Sequence, residues 1–408
     1  MHVAYIHQHF STRKGATGTR SYEMSQALLA RGHQVSMICG VSAAAAGSVQ
    51  VTQRISEQDI DGIRVFAIGE PYSNAMGFVQ RVKAFGAFAR DALRVIKQLQ
   101  PRPDLVFATS TPLTVGIPGM KAARHHGVPF VFEVRDLWPE VPIAIGVIRN
   151  PLLIWYLKRM ERRIYRAAER IIALSPGMVR GIVRAGYPES RVTMVPNGCD
   201  LDLFRPDDAP LDDSRFGPPD DFRLVFTGAH GLANGLDAVL DAAAECKRRG
   251  VRGLRFVFIG DGGQKPWLVQ RAQQDGLGDW VTFCDSVPKL ELARLLPRMD
   301  AGLMILRNLP EFYYGTSPNK FFDYISCGLP VLNNYPGWVA DLIGAHRCGL
   351  AVPPDDPRAF VDAALRLRDD RAAAAEMGRN GRRLAESEFG RETLSTRWVG
   401  VLEAAAVP

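Results

Sequence analysis

The stretch Pro-Phe-Val-Phe-Glu-Val-Arg-Asp-Leu-Trp-Pro-Glu at residues 129–140 joins a short apolar run directly to a cluster of charges. A continuous apolar run of this length is typical of a strand buried on both faces, as in a parallel sheet. Comparable runs recur at residues 2–9, 35–39, 105–107 and 171–174, with helical patterns between them. This alternation of strand and helix predicts a doubly wound α/β domain.

The same alternation begins again in the second half of the chain. Strands are predicted there at residues 224–226, 256–259, 281–283, 301–306 and 330–332. A stretch rich in proline and aspartate at 206–221 lacks apolar periodicity and is interpreted as a linker. We therefore expect Rossmann-like domains at residues 1–205 and 206–390, followed by a helix at 391–408 that packs back on the N-terminal domain. The two domains are expected to face a central cleft, into which strand ends and helix N-termini point.

Composition and cysteine usage narrow the class of protein. With 408 residues, 47% of them hydrophobic, the chain has enough apolar material for two cores. Its longest apolar stretch, 141–157, is interrupted by Arg149, Asn150 and Pro151, which excludes a transmembrane helix there. The N-terminus has no basic lead, which argues against a standard secretory signal. Six scattered cysteines and eight histidines without metal-ligand spacing predict no disulfide framework, no metal site and a reducing cytoplasm.

Positive charge is concentrated in one segment. Residues 81–170 hold 16 Lys and Arg against 7 Asp and Glu, in a chain whose formal net charge is +7. A basic face of this kind predicts an anionic partner, which is a membrane surface, a polyphosphate or a nucleic acid. No nucleic-acid-binding module is recognisable, so nucleic acid is the least favoured of the three.

One predicted helix in this segment has two interpretations. Trp155 and Tyr156 lie at its start, and its basic residues are Lys158, Arg159, Arg162, Arg163, Arg166 and Arg170. Apolar residues recur along it at helical spacing, which predicts burial in the first domain. The alternative is that the basic face and the aromatic residues dock on an anionic cytoplasmic leaflet, where a lipid-linked acceptor would lie.

Glycine-rich turns follow three of the predicted strands. In the first, Gly15 and Arg20 flank the start of a helix, where backbone N–H groups and a guanidinium can bind an anionic ligand. A dinucleotide fingerprint is excluded there, because Gly15 lies five residues beyond the strand and the next strand ends without an acidic residue. A plain structural turn is the alternative. The other two turns contain Gly228 and Gly260.

Charged residues follow the strand at 130–132 directly. Glu133, Arg135 and Asp136 are expected at the carboxyl edge of the sheet, where carboxylates can orient sugar hydroxyls or assist proton transfer. The alternative is an Arg–Asp pair that only closes a loop. We expect a functional role, because charged groups are costly to keep at such an edge.

The segment at residues 315–330 predicts a phosphate-binding helix. Ser317 is expected as its N-cap and Pro318 as its first residue, so that its positive end points at a ligand. Asn319 and Lys320 add an amide and a full positive charge there, and Asp323 lies on the same face one turn deeper. A diphosphate at the helix tip would place its ribose near Asp323. The alternative is a capped helix whose Lys–Asp pair is a solvated salt bridge.

These motifs resemble those of the family-4 retaining glycosyltransferases, which have the two-domain GT-B fold. The resemblance covers nearly the whole chain and is closest to bacterial surface-polysaccharide transferases of the lipopolysaccharide, capsule and colanic-acid type. The shared segments are the N-terminal glycine loop with residues 30–35, Pro196-Asn197-Gly198, Gly260-Asp261-Gly262, residues 326–331, Asp136 to Pro139 and Pro318 to Lys320.

The chain departs from the family pattern at three places. The family's Arg and Lys for the diphosphate fall on Ala229 and Asn234, so Lys320 and Arg20 are expected to supply the charge. Its two glutamates fall on Gly315 and Asp323. Its His-Asp pair at the end of a first-domain strand appears as Arg135-Asp136.

The resemblance implies transfer of a sugar from a nucleotide diphosphate to a lipid-linked or saccharide acceptor, with retention of configuration and without metal or cofactor. Relatives favour UDP and an N-acetylated hexosamine or deoxyhexosamine, used in surface-polysaccharide biosynthesis at the inner face of the plasma membrane. The candidate catalytic residues are Asp136, Arg135 and Glu133. The candidate donor-binding residues are Gly15, Arg20, Gly228, Asn234, Gly260, Ser317, Asn319, Lys320 and Asp323.

Three other functions are weighed against transfer. A GT-B sugar-nucleotide epimerase would convert a sugar nucleotide without an acceptor, whereas a transferase would do little until one is added. A phosphorylase is expected to have a much longer chain with a cofactor lysine. A two-lobed sugar-binding protein without catalysis would be exported and would need a signal peptide.

Overall fold

Hydrophobic strand residues form two separate sheets in the computed structural model, which describes residues 1–15, 18–42, 49–72, 76, 78–207, 209 and 213–407. The strands are β1 (His2–His7), β2 (Gln34–Ser42), β3 (Ile55–Ile60), β4 (Ile63–Tyr72), β5 (Leu105–Thr109), β6 (Phe130–Val134), β7 (Arg170–Ala173), β8 (Val192–Met194), β9 (Phe222–Thr227), β10 (Leu254–Ile259), β11 (Val281–Cys284), β12 (Ala301–Met304), β13 (Val331–Asn333) and β14 (Gly349–Ala351).

Helices connect most of these strands. They are α1 (Arg20–Ala30), α2 (Phe78–Lys97), α3 (Gly116–His126), α4 (Glu140–Ala144), α5 (Pro151–Ala167), α6 (Pro176–Arg184), α7 (Asp237–Arg249), α8 (Lys265–Gln274), α9 (Lys289–Leu295), α10 (Pro310–Tyr313), α11 (Asn319–Ser326), α12 (Trp338–His346), α13 (Pro357–Asp369), α14 (Arg371–Ser387) and α15 (Arg391–Ala406). In the described part of the chain, none of them has both the length and the apolar character that a membrane span requires.

The chain divides into two units. Unit 1 comprises Met1–Pro196, Gly315–Ser317 and Glu392–Pro408, and unit 2 comprises Asn197–Tyr314 and Pro318–Arg391. The first boundary therefore lies at Pro196, whereas the sequence placed it after Arg205. The alternation of strand and helix in two blocks does produce two α/β units, as predicted.

Unit 1 contains an eight-stranded sheet in the order β3-β4-β2-β1-β5-β6-β7-β8. Its strands pair in parallel except β3, which forms an antiparallel hairpin with β4. Asp61 and Gly62 make the turn, and both have positive φ, of 52° and 84°. An Asp-Gly pair between alternating residues is a strong hairpin signal, which the prediction of fully parallel sheets missed.

The last helix, α15, completes the core of unit 1. Trp398 is fully buried, with its ring stacked 5.9 Å from that of Tyr5 and edge-on to Phe107 at 4.8 Å. Further along the helix, Glu403 accepts hydrogen bonds from Arg31 and His33. Residues 392–406 therefore belong structurally to the unit that begins at Met1.

Unit 2 contains a six-stranded parallel sheet in the order β11-β10-β9-β12-β13-β14. The central strand β9 is buried along its whole length, as expected for a parallel sheet with helices on both faces. Parallel pairing brings the carboxyl ends of β9, β10 and β11 to one edge of the sheet. The glycine turns that follow β9 and β10 lie at this edge, where open α/β sheets bind ligands.

Candidate functional site

Two glycine turns pack against each other at the carboxyl edge of the unit 2 sheet. Gly228 follows β9 and Gly260 follows β10, and both have positive φ. A Cβ atom on Gly260 would lie 1.9 Å from the Gly228 carbonyl oxygen, so no larger residue fits there. The backbone N–H of His230 donates to the Asp261 carbonyl at 2.8 Å, which joins the two turns. Gly228 is exposed at this edge of the sheet.

Lys320 of α11 reaches the first of these turns. Its ammonium lies 4.0 Å from the centroid of the Phe226 ring, a cation–π distance, and donates to Asn234 Oδ1 at 3.3 Å. A Cβ atom on Gly228 would lie 3.7 Å from Lys320 Cε. Asn234 is oriented by its own amide, which donates to the Ala229 carbonyl at 2.7 Å. The structure thus brings together three residues predicted for donor binding, Gly228, Asn234 and Lys320.

The Lys320 ammonium is not neutralised by its surroundings. Among the described residues, no carboxylate oxygen lies within 4.0 Å of Lys320 Nζ. Burial lowers the pKa of Lys320 to about 7, and Asp323 only partly opposes this shift. A half-buried amine without an ion-pair partner gains a favourable interaction when an anion binds beside it.

The N-terminus of α11 differs from the prediction by one residue. The helix begins at Asn319, and its N-cap is Pro318, with extended backbone at φ −76° and ψ 121°. The prediction that Ser317 caps the helix was wrong, because Pro318 has non-helical backbone and no side-chain capping bond is made there. Ser317 itself groups with unit 1. Asn319 is exposed at the first helical position.

Asp323 lies one turn further along α11, beside a cluster of charges. Burial raises the pKa of Asp323 to about 7, with the cations Lys289 and Arg391 opposing and Asp200 adding to the shift. Asp323 is half-buried. Among the described residues its carboxylate has no hydrogen bond, so its oxygens are open to hydroxyl donors.

Asp200 orders the cations next to Asp323. Its carboxylate is buried, accepts from Arg391 Nε at 2.7 Å and pairs with Lys289 Nζ. Burial alone would raise the pKa of Asp200, but Arg391 and Lys289 lower it strongly. Asp200 was not among the residues predicted from the sequence, where only the neighbouring segment Pro196-Asn197-Gly198 was noted. Its position next to the unit boundary was the available signal.

In unit 1, Glu133 and Arg20 form a fully buried ion pair. Glu133 Oε1 accepts from Arg20 Nη2 at 2.8 Å and from Trp398 Nε1 at 3.1 Å, while Oε2 accepts from the Thr109 hydroxyl at 2.7 Å. Burial opposes ionisation of Glu133, yet the Arg20 guanidinium keeps its pKa below the usual value. Arg20 also donates to the carbonyl oxygens of Val195 and Pro196.

This network corrects two predictions. Arg20 is 2% exposed and its guanidinium is committed to Glu133 and two backbone carbonyls, so it does not fit the diphosphate role predicted for it. Glu133 is 0% exposed with both oxygens occupied, so it does not fit a catalytic role. Both residues fix the ends of β6 and α1. The sequence could not show this pairing, because the two residues are 113 positions apart.

Arg135 and Asp136, by contrast, lie open at the carboxyl edge of β6. Arg135 is half-buried and Asp136 is exposed. Arg135 Nη1 contacts His7 Nε2 at 3.1 Å, and Asp136 Oδ2 accepts from the Thr111 hydroxyl at 3.2 Å. The side chains of Arg135 and Asp136 are therefore accessible at this edge of the sheet, whereas the side chain of Glu133 is buried.

The protonation of His7 follows from its partners. A guanidinium only donates, so His7 Nε2 accepts from Arg135 and the proton resides on Nδ1, which donates to Ser21 Oγ at 2.7 Å. Burial and then Arg135 hold the pKa of His7 well below its ordinary value. The imidazole is therefore neutral, and Arg135 has no anionic partner within ion-pair distance among the described residues.

The first glycine loop is described only in part. Gly15 is buried, and its N–H donates to the Thr12 carbonyl at 3.0 Å. Residues 16 and 17 lie outside the described residues. A ligand role for Gly15 stays a prediction. In the described ranges, no group of three or more His, Cys, Asp or Glu residues is arranged to hold a metal ion.

Family models match most of the chain. A model described as "Glycosyl transferase 4-like domain" matches residues 15–198, and one described as "Glycosyl transferases group 1" matches residues 221–370. The first match falls largely on unit 1 and the second largely on unit 2.

Curated relatives are glycosyltransferases of low identity. A D-inositol 3-phosphate glycosyltransferase of Catenulispora acidiphila is 28% identical over 272 residues, which cover 64% of this chain and 62% of the relative. A GDP-mannose-dependent alpha-mannosyltransferase of Mycobacterium tuberculosis is 27% identical over 62% of this chain and 60% of its own length. The chain thus matches about three fifths of the length of these relatives.

Solved structures match over nearly the whole chain. Sucrose-phosphate synthase from Thermosynechococcus elongatus superposes with a TM-score of 0.76 at 17% identity, covering 99% of this chain and 98% of its own. Anabaena HepE in complex with UDP-glucose gives a TM-score of 0.70 at 16% identity, covering 99% and 100%. At such identities the likeness shows the fold, and it confirms the predicted GT-B architecture. With this fold and both domain models matched, the chain belongs to the family-4 glycosyltransferases.

Proposed function

We propose that this protein transfers a sugar, with retention of configuration, from a nucleotide diphosphate bound by unit 2 to an acceptor bound by unit 1. The observation that carries the proposal is the position of Lys320, a cation without a counter-ion placed over Phe226 beside the exposed Gly228. A cation at a glycine turn and a helix N-terminus suits a diphosphate. Lys320 would take the role of the Arg and the Lys that bind the diphosphate in the family. Those two positions are Ala229 and Asn234 in this chain.

Lys320 would act mainly on the leaving group. When the glycosidic bond breaks, negative charge grows on the diphosphate, and a positive group already in place stabilises it without rearrangement. The half-buried position strengthens this interaction relative to water. The N–H groups at the start of α11 and at the Gly228 and Gly260 turns would add fixed dipoles. No step in this scheme uses a metal ion.

Asp323 would bind the ribose. Its free carboxylate lies one turn below Lys320, and a carboxylate can accept hydrogen bonds from both ribose hydroxyls. Aspartate is one methylene shorter than the glutamate of the family pattern, so the neighbouring charges of Lys289 and Arg391 would help to hold it in place.

Arg135 and Asp136 would serve the reacting sugar and the acceptor. Both lie at the ligand edge of the unit 1 sheet, and Thr111 orients Asp136. Asp136 would position an acceptor hydroxyl. Arg135, with its neutral partner His7, would contact an oxygen-rich or anionic group of the substrate.

The finer identity of the substrates rests on the resemblance. We propose UDP with an N-acetylated hexosamine or deoxyhexosamine as donor, and a lipid-linked or saccharide acceptor in surface-polysaccharide biosynthesis at the cytoplasmic side of the plasma membrane. One curated relative is described as GDP-mannose-dependent, so GDP-mannose is the donor to test against UDP-sugars.

A thermal-shift panel tests the donor site. UDP, GDP and their sugars are added singly to the wild-type protein, to Lys320→Met and to the control Lys247→Met, whose exposed side chain donates to the Asp275 carbonyl. A ligand at 100 times its Kd stabilises the folded state by about 2.7 kcal/mol. We expect a selective rise in Tm for the wild type and Lys247→Met and none for Lys320→Met. An equal rise in Tm in all three proteins would show that Lys320 is not part of the donor site.

A further inference from the structure

Three side chains of unit 1 form a hydrogen-bonded chain from its interior to the carboxyl edge of its sheet. Ser21 lies in the first turn of α1, His7 ends β1, and Arg135 directly follows β6. Ser21 Oγ is 2.7 Å from His7 Nδ1, and His7 Nε2 is 3.1 Å from Arg135 Nη1. Ser21 is 2% exposed and His7 3%, whereas Arg135 is half-buried. Two buried residues therefore hold a third that is accessible.

The direction of these hydrogen bonds determines the charge of His7. Because the Arg135 guanidinium can only donate, His7 Nε2 accepts and the imidazole is neutral. A protonated His7 would turn an N–H group and a positive charge towards the guanidinium. Burial lowers the pKa of His7, and the groups that face it, Arg135 and then His9, lower it further. Arg135 is thus oriented by a partner that does not neutralise it.

Arg20 shows the opposite arrangement in the same unit. Its guanidinium lies 2.8 Å from the Glu133 carboxylate, so the two charges compensate each other. Arg135 has no such ion pair in the described part of the chain, and only one N–H group of its guanidinium is used, by His7. The remaining N–H groups form a planar fork, a shape that matches the oxygens of a phosphate or a carboxylate.

A purely structural role for the Arg135 side chain is not needed to hold its loop. The backbone N–H of Arg135 donates to Ser110 Oγ at 2.9 Å, and the backbone N–H of Ser110 donates to the Glu133 carbonyl at 3.0 Å. These two bonds already fix the segment after β6 to the segment after β5. The guanidinium is therefore oriented by His7 in addition to, and independently of, the closure of the loop.

We infer that His7 and Ser21 are positioning residues that orient the Arg135 guanidinium and leave its charge available to bind an oxyanion of the acceptor, a phosphate or a carboxylate. Ser21 holds the proton on Nδ1 of His7, and Nε2 then receives Arg135. A carboxylate in the place of His7 would orient the guanidinium equally well but would cancel its charge. The inference deepens the proposed function and rests on it in one respect, that the oxyanion belongs to the acceptor.

Nitrogen NMR of histidine-labelled protein tests the state of His7. The nitrogen chemical shifts distinguish a protonated from an unprotonated ring nitrogen, and the signals of His7 are assigned by their loss in His7→Gln. We expect Nδ1 to be protonated and Nε2 unprotonated at pH 7, and the ring to stay neutral when the pH is lowered to 5. A protonated Nε2 at pH 7 would overturn the inference, because Arg135 would then have no acceptor.

The oxyanion is tested with inorganic pyrophosphate and, separately, with glucuronate. Both are added to Lys320→Met, which lacks the cation proposed for the donor diphosphate, and glucose is the uncharged control. We expect pyrophosphate or glucuronate to shift the signals of His7 and His9, whose rings lie 6.3 Å apart beside Arg135. The probe that binds more tightly distinguishes a phosphate from a carboxylate. Arg135→Met should abolish the shift.

Substitutions of His7 and Ser21 separate positioning from folding. With His9 as reporter, His7→Leu should weaken binding of the probe about tenfold, because it removes the acceptor that orients a charged donor. His7→Gln, whose amide oxygen can accept from Arg135, should restore most of the affinity. Both variants lose the imidazole from the core, so a merely structural role would affect them alike. Ser21→Ala should weaken binding about threefold.

Unit 1 also offers matched control variants. His126 is half-buried like the residues of the chain, but its Nε2 lies 2.9 Å from the Ile96 carbonyl oxygen and not beside a cation. Arg64 pairs with Glu57 at 2.6 Å and so has its own counter-ion. His126→Leu and Arg64→Met should leave the affinity for the probe unchanged.

The outcomes separate this inference from the proposed function. It is overturned if neither pyrophosphate nor glucuronate shifts the histidine signals, if Arg135→Met binds the probe as before, or if His7→Gln is as weak as His7→Leu. If no donor supports transfer while the probe still binds through Arg135, the proposed function fails and the positioning role of His7 and Ser21 stands.

Discussion

Lys320 and Asp323 lie one turn apart on α11, and burial shifts the pKa of each to about 7, from opposite directions. Near neutral pH, a small change in pH therefore changes the charge of both side chains. Above pH 7 the lysine loses its positive charge and the aspartate gains a negative one. Loss of the lysine charge disfavours an anionic ligand, whereas ionisation of the aspartate makes it a better acceptor for the ribose hydroxyls that it is proposed to bind.

The first prediction concerns the pH dependence of donor binding. Between pH 7 and pH 9 the phosphates no longer titrate, so a change in affinity reports on the protein. We expect loss of the Lys320 charge to lower the affinity for the nucleoside diphosphate as the pH rises, by at most about tenfold per unit. Isothermal titration calorimetry in a series of buffers measures this. In Lys320→Arg, whose guanidinium stays protonated, the slope should decrease. A wild-type affinity that is constant over this range would contradict the prediction.

The second prediction concerns the buried Glu133. Glu133→Gln leaves the Arg20 guanidinium buried without its counter-charge, which should destabilise unit 1 by roughly 3 kcal/mol. Urea unfolding followed by fluorescence measures the shift in midpoint. The control Glu57→Gln removes a carboxylate whose pair with Arg64 is solvent-exposed, and it should change little. If Glu133→Gln kept the wild-type midpoint but lost turnover, the catalytic role first predicted for Glu133 would be restored.

The third prediction concerns Asp200. Asp200→Asn leaves Lys289 and Arg391 without their buried carboxylate and should destabilise unit 2 by roughly 3 kcal/mol at neutral pH. Because the folded pKa of Asp200 is lowered, its contribution is present above the unfolded pKa of about 4 and is lost as the pH falls below it. The wild-type and variant midpoints should therefore converge in acid. Asp207→Asn, whose pair with Arg298 is exposed, is the matched control and should behave like the wild type.

The fourth prediction separates acceptor chemistry from donor binding. Asp136→Asn should lower kcat about 100-fold, the lower range for a group that positions or deprotonates a hydroxyl, and leave the donor Kd unchanged. Asp104→Asn is the control, because Asp104 is exposed at the opposite end of the unit 1 strands and accepts a hydrogen bond from the His2 N–H. A changed donor Kd in Asp136→Asn, with an unchanged kcat, would show that Asp136 acts in donor binding and not on the acceptor.

The sequence predicted the parts of the molecule that depend on local pattern. Apolar runs located the buried parallel strands, and glycines after strands located the carboxyl edge of the unit 2 sheet. The spacing of Asn319, Lys320 and Asp323 on one helix predicted their common face. The hairpin of β3 and β4 was missed, although Asp61-Gly62 is a local signal.

The sequence could not show which charged residues neutralise each other. Arg20 and Glu133 are equally plausible as ligands or as partners until the fold places them 2.8 Å apart. Asp200 meets Lys289 and Arg391 only because three distant segments converge in unit 2. Such pairings depend on long-range geometry and not on spacing along the chain.

The participation of α15 in unit 1 has a consequence for synthesis. The side chain of Trp398 packs against Tyr5 and Phe107 and donates to Glu133, so the interior of unit 1 lacks one of its largest aromatic groups until residue 398 is made. During translation, the surface of unit 1 that Trp398 covers would stay exposed while the whole of unit 2 is synthesised. The core of unit 1 is therefore completed only after unit 2 has been translated.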